Sequence, residues 1–202
     1  MRLRLIAVLI LFAACLGLPA PVQAAGAESA IRQFNDRLLD VMKTGTRLGF
    51  KGRVEKLRPA IIDVYDMKGM TNNTLGAAAA AKLTPEESAR LIEAYTAFSV
   101  ATYASQFTTW NGETFEMGET RPSTGGTVIV GSWIVPRSGQ RTAIDYVMRE
   151  VDGKWKVIDV LYEGTVSQVA VRRSEFSSIL RNDGLAGLMS AIDKQTASLG
   201  RK

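Results

Sequence analysis

From Glu28 to about Leu48 the apolar residues Ile31, Phe34, Leu38, Val41 and Met42 recur at helical spacing, which predicts an amphipathic helix with one buried stripe. Gly45 and Gly49 are expected to end it. A second helical segment runs from about Gly52 to Tyr65, with Val54, Leu57, Ile61 and Val64 on one face and Pro59 as a kink or restart. A short helical turn is expected over 66–75, and the alanine run Ala77 to Ala81 reads as a helix end or packing filler. The clearest helix start is Thr84-Pro85-Glu86-Glu87, where threonine caps, proline takes the first helical position and Glu87 completes a capping box. That helix should reach Gln106 or Phe107 and present Leu91, Tyr95, Phe98, Ala101 or Thr102, and Ser105 along one side.

After Trp110-Asn111-Gly112 the period changes to two, and β-favouring residues take over. Strands are expected over 114–119, 127–135, 142–151 and 154–162. Asp152-Gly153 between the last two signals a tight hairpin, because both residues tolerate positive φ. Its register stays open. A two-residue loop sets Arg149 opposite Lys156, which like-charge repulsion disfavours, whereas a three-residue loop pairs Glu150 with Lys154. In either register both faces of these strands carry apolar side chains: Ile144, Tyr146 and Met148 against Val147 and Val151, then Trp155, Val157 and Leu161 against Ile158, Val160 and Tyr162. A sheet covered on one face, or one that lines a cavity, explains that pattern.

Helix returns at Ser167, a candidate cap for a segment carrying Val169, Val171, Phe176, Ile179 and Leu180. Asn182-Asp183-Gly184 should break it before a last helix built on Leu185, Leu188 and Ile192. The order predicts an α+β fold, with a helical N-terminal half packed on a curved, mostly antiparallel sheet and with C-terminal helices, enclosing an apolar cavity if the sheet lines one.

The N-terminus changes the picture of where such a domain works. Arg2 and Arg4 precede the apolar run Leu5 to Leu18, and Pro19-Ala20-Pro21-Val22-Gln23-Ala24 places small residues before a cut after Ala24. This is the pattern of a secretory signal peptide over residues 1–24. A retained anchor needs about 20 apolar residues, more than this run supplies. A lipoprotein cut before Cys15 is disfavoured by the apolar Leu16-Gly17-Leu18 beyond it. Cleavage leaves a single domain, residues 25–202, and removes two positive charges, so the net charge falls from +5 to about +3. That excess suits anionic headgroups or membranes and is too small to indicate nucleic acid.

The chain of 202 residues has no histidine, and its single cysteine is Cys15. Ser-His-Asp triads, Cys-His nucleophiles, imidazole or thiolate metal sites and disulfides are therefore excluded from residues 25–202, leaving carboxylate chemistry or none. No metal or cofactor site is expected. A domain of this size buries roughly 70% of its unfolded surface and needs no staples.

At its C-terminal half the chain resembles a known family. Trp155-Lys156-Val157-Ile158-Asp159-Val160, then Glu163-Gly164, Ser167, Arg172-Arg173-Ser174-Glu175-Phe176 and Asp183-Gly184-Leu185 with Leu188 are similar to the signature of the MlaC, or toluene-tolerance auxiliary, proteins. Upstream, Tyr65-Asp66, Leu75-Gly76, Leu83-Thr84-Pro85-Glu86 and Tyr103-Ala104-Ser105 follow the same order. Within that family the run from Gly164 to Phe176 most resembles the hopanoid-associated HpnM branch. One departure stands out: Thr165-Val166 separates Gly164 from Ser167 where the family pattern has one small apolar residue. The resemblance implies a periplasmic carrier of phospholipid or hopanoid between inner and outer membranes, serving membrane transport complexes, monomeric, with a cone-like fold akin to NTF2.

Such a carrier needs a dry pocket at or above the upper end of about 300–1,000 Å³. Candidate lining residues are Tyr95, Phe98, Tyr103, Phe107, Trp110, Ile134, Tyr146, Val160, Tyr162, Val169 and Phe176, each equally able to fill a solid core. Arg172, Arg173 and Arg181, or the cluster Lys51, Arg53, Lys56 and Arg58, could meet a headgroup or a partner, or simply form solvated helix faces. Glu175 is placed to pair with Arg172 on the same helix. Two readings compete with the carrier. One is an NTF2-like enzyme using Asp66, Asp145, Asp159 or Glu163 with Tyr146 or Tyr162, and the other is a periplasmic adaptor that binds only proteins.

Overall fold

The computed structural model describes residues 20–201. The expected signal peptide lies mostly outside the described residues, as does Cys15. Helix α1, Ala20–Val64, joins the two N-terminal segments into one element, interrupted only at Gly49 (φ 62°, ψ −178°). Gly45 does not end the helix as expected. A Cβ there would stand 2.0 Å from the Thr108 carbonyl oxygen, so this glycine serves a close tertiary approach instead of a stop. Nor does Pro59 restart the chain, because it sits within helical backbone and the break falls at Gly49.

The next elements follow their local chemistry. In α2, Met67–Leu75, the Asp66 side chain accepts the Gly69 N–H at 2.8 Å as N-cap. The alanine run forms the short α3, Ala77–Ala80. Helix α4, Pro85–Gln106, begins on the expected capping box: Thr84 Oγ1 accepts the Glu87 N–H at 3.2 Å while Glu87 Oε2 accepts the Thr84 N–H at 2.9 Å.

Strands β1 (Thr114–Pro122), β2 (Val128–Val135), β3 (Thr142–Val151), β4 (Lys154–Tyr162) and β5 (Val166–Ser167) form an antiparallel meander in sequence order. The β3–β4 hairpin has the two-residue loop. Asp152 (φ 50°) and Gly153 (φ 73°) turn the chain, and Arg149 faces Lys156. Separate acceptors relieve the repulsion between that pair: Lys156 Nζ donates to the Asp63 carbonyl, and Arg149 reaches Asp66 Oδ2 at 3.5 Å.

A bulge in β4 corrects the expected side-chain rows. Tyr146 faces Val160 and Val147 faces Asp159, but Met148 faces Val157, so β4 carries one extra residue at Ile158. The bulge shifts the phase of β4 by one, bringing Val157 and Val160 onto the same face, whereas strict alternation had placed them on opposite faces. Strand β5, which was not expected, occupies the Thr165-Val166 departure: Glu163 (φ 52°) and Gly164 (φ 70°) turn the chain, and Val166 pairs with Tyr162.

Ser167 caps α5, Gln168–Leu199, by accepting the Ala170 N–H at 2.9 Å. Asp159 braces that start, its Oδ1 accepting the Val169 N–H at 3.0 Å and its Oδ2 the Ser167 hydroxyl at 2.5 Å. Gly184 (φ 66°, ψ −170°) makes the expected break. Helix α1 lies directly on β1, β2 and β4, burying Ile31, Phe34, Leu38, Leu57 and Ile61. Helix α4 packs instead on α1, α2 and α5, and so stands off from the strands. No helix among the described residues is long and apolar enough to cross a membrane.

Candidate functional site

The space between α4 and the sheet is a pocket of about 170 Å³. One wall is the α4 stripe of Tyr95, Phe98, Ser99, Thr102, Tyr103, Gln106 and Phe107, in which small hydroxyl residues fall between large aromatics. The facing wall is Ile134 of β2, Ile144 and Tyr146 of β3, and Val160 and Tyr162 of β4. Ile61 of α1, Tyr65 just after it and Met70 of α2 complete it, with Gln168 and Arg172 of α5 along one side.

Aromatic edges organise its inner end. Phe34, fully packed in the core, meets the rings of Tyr65, Tyr103 and Tyr146 edge-on at 5.6, 5.5 and 6.3 Å. The Tyr65 and Tyr103 hydroxyls are hydrogen-bonded to each other, and Tyr103 stacks on Phe107 at 5.6 Å. Burial pushes the Tyr103 hydroxyl up to about 12, opposed by its bond to Tyr65, and raises those of Tyr65 and Tyr146 well above the ordinary phenol value. Tyr95 is likewise pushed up to about 12 by burial, partly offset by the Arg172 charge.

The outer end is amphipathic. Tyr162 is 47% exposed. Arg172 lays its guanidinium over Phe98 at 4.7 Å and donates to Glu175 Oε2 at 2.7 Å, the expected pair. Gln195 holds the other Glu175 oxygen at 2.5 Å, so Arg172 is fixed at the rim.

Of the candidate lining residues, Tyr95, Phe98, Tyr103, Phe107, Ile134, Tyr146, Val160 and Tyr162 come together here, and three do not. Phe176 is buried in the solid core, edge-on to Tyr95 at 5.9 Å. Val169 faces a separate surface groove with Val147 and Ile158. Trp110 is 43% exposed in the turn before β1, its indole N–H donating to the Glu113 carbonyl at 2.8 Å.

Of the arginines only Arg172 lines the pocket. Arg173 donates to the Asn73 carbonyl at 2.8 Å, and Arg181 is exposed on α5. The other basic cluster does not converge on one site: Arg53 donates to the Ala104 and Gly45 carbonyls, Lys56 pairs with Asp40, and Arg58 pairs with Glu93. Sequence reasoning missed Ile61, Tyr65, Met70, Ser99, Thr102, Gln106, Ile144 and Gln168. Ser99 and Thr102 share the helical spacing of Tyr95 and Phe98, a signal that was available.

The pocket, at about 170 Å³, is also smaller than expected. The acids weighed for catalysis hold structure: Asp66 caps α2, Asp145 accepts from Arg121 at 2.9 Å, Asp159 braces the start of α5, and Glu163 sits in the turn before β5. Among the described residues no carboxylate cluster is arranged to hold a metal ion.

An α+β domain with an apolar pocket between one stand-off helix and a meander sheet defines a class of proteins with a concave site for a small apolar molecule. The chain matches the MlaC protein family over residues 32–194, and it belongs to that family. Among solved structures it is similar to the phospholipid-binding protein from Ralstonia solanacearum in complex with a phospholipid, at 21% identity and a TM-score of 0.75, covering 86% of this chain and 98% of that one. No curated protein matches the chain.

Proposed function

We propose that this protein is a periplasmic lipid carrier that encloses phospholipid or hopanoid in the α4–sheet pocket and passes it between transport complexes of the inner and outer membranes. The apolar pocket carries this reading. Membership of the MlaC family, the phospholipid held by a protein of the same fold, and the secretory pattern of the first 24 residues support it. The need is physical: at about 0.8 kcal/mol per exposed methylene, a lipid with roughly 30 chain carbons faces on the order of 20 kcal/mol in water. A carrier that takes the lipid from one apolar environment to another binds it with a modest net energy, which permits release.

Two acyl chains need more room than about 170 Å³. Loading such a lipid therefore requires the α4 and sheet walls to part. The HpnM-like run from Gly164 to Phe176 supports a polycyclic cargo, and the phospholipid of the solved relative supports a diacyl one. Solvent extraction of the purified protein followed by mass spectrometry decides between them. The expected result is near-stoichiometric phospholipid or hopanoid; a protein secreted in folded form, free of lipid and unable to take it from vesicles, overturns the proposal.

A further inference from the structure

The inner end of the pocket holds more hydrogen-bond donors than the protein itself satisfies. Tyr146 is 1% exposed and Tyr95 4%; both line the pocket, and neither hydroxyl has a hydrogen-bond partner among the described residues. In the Tyr65–Tyr103 pair one hydroxyl donates and the other accepts, so the accepting residue keeps an unspent proton of its own. The neighbouring hydroxyls are already used: Ser99 donates to the Tyr95 carbonyl at 2.8 Å and Thr102 to the Phe98 carbonyl at 2.9 Å. Apart from the exposed Gln106 amide, the free polar hydrogens lining this end are phenolic. Among the described residues the side-chain polar atoms sealed away without a partner are Asn35 Oδ1 and Thr120 Oγ1, so the unbonded tyrosine hydroxyls instead open onto the pocket space, where phenylalanine would fill nearly the same volume and offer no donor. A pocket meant only for hydrocarbon has no use for them.

We infer that Tyr146, with the Tyr65–Tyr103 pair and Tyr95, forms a buried donor subsite that takes an acceptor oxygen carried on the enclosed part of the lipid. This deepens the carrier reading and rests on it. Shared chemistry defines the ligand: an ester carbonyl beside the acyl chains or a hydroxyl on a polycyclic skeleton presents the same acceptor to the same phenols. Pure hydrocarbon does not. All four phenols, like any ordinary phenol, are protonated at neutral pH, and burial raises them further, so they act as donors throughout the physiological range.

The test compares probes that differ only in the oxygen. Affinities are measured for an ester-linked diacyl phosphatidylglycerol against its ether-linked counterpart, and for a hydroxylated pentacyclic triterpenoid against the parent hydrocarbon. The protein should favour the ester-linked or the hydroxylated member of at least one pair by roughly tenfold, the effect of one buried hydrogen bond to the carbonyl or hydroxyl oxygen. Discrimination in the first pair alone identifies a glycerolipid cargo, and in the second alone a polycyclic one. Tyr146→Phe combined with Tyr65→Phe and Tyr103→Phe should flatten the preference, the ester or hydroxylated probe losing roughly tenfold more affinity than its ether or hydrocarbon counterpart, a split that loss of folding would not produce. Lipids that bind without discrimination in the unsubstituted protein overturn the donor subsite and leave the carrier standing. Failure of every probe to bind overturns both.

Discussion

Helices α1 and α4 face the same sheet with opposite results. Helix α1 offers Ile31, Phe34, Leu38 and Leu57 and lies directly on the strands, burying this row, and only its end at Ile61 reaches the pocket. Helix α4 offers stiff aromatics, Tyr95, Phe98, Tyr103 and Phe107, separated by Ser99 and Thr102, and a pocket of about 170 Å³ remains in front of it. Aliphatic side chains interdigitate to crystal-like density, whereas large rings flanking short polar side chains prop two layers apart. A pocket in this fold is made by the size pattern within a helical stripe more than by its hydrophobicity.

The comparison breaks most sharply where the gap itself is filled or charged. Val160→Arg places a cation on the sheet wall and Thr102→Phe fills the α4 wall; both should abolish lipid loading, read by extraction, with the far-ultraviolet circular dichroism of the native fold. On the packed side the signature reverses. Leu38→Ala, at a fully buried position under α1, should lower stability by about 2–5 kcal/mol in urea titration and leave loading intact.

Alkali sharpens the same contrast. The Tyr95 and Tyr103 hydroxyls are pushed by burial to about 12 in the folded chain, above the ordinary value of 10. Their contribution is complete below pH ~10 and lost as pH rises toward about 12, roughly 2–3 kcal/mol for each group. Thermal melting across that window should fall steeply, and less steeply in Tyr103→Phe. The smallest effect lies at the N-terminus of α4: Thr84→Ala removes one half of the capping box and should cost about 1 kcal/mol with loading unchanged.

Much of this was legible in the sequence where the determinant is local. Thr84-Pro85-Glu86-Glu87 and Asp152-Gly153 carry their caps and turn within a few residues, and the elements they start or join match the expected bounds. Gly45 and Gly49 look alike in sequence, and only the approach of Thr108 tells them apart. The bulge at Ile158 has no glycine or proline to announce it, so the rows of β4 were misphased. Helical spacing set Tyr95 beside Phe176 and the pocket alike, because an aromatic at a core boundary touches both. Trp110, a candidate lining residue by sequence, is held at the surface by a local bond to the Glu113 carbonyl.

The claim on which everything turns is that lipid chains lie between α4 and the strands. A phospholipid carrying a photoactivatable group on its acyl chain, loaded into the protein, irradiated and mapped by peptide mass spectrometry, tests it most directly. The account predicts adducts on Thr102, Tyr103, Ile134, Ile144 and Val160. Labelling confined to the groove of Val147, Ile158 and Val169, or scattered over the exposed helix faces, would contradict it.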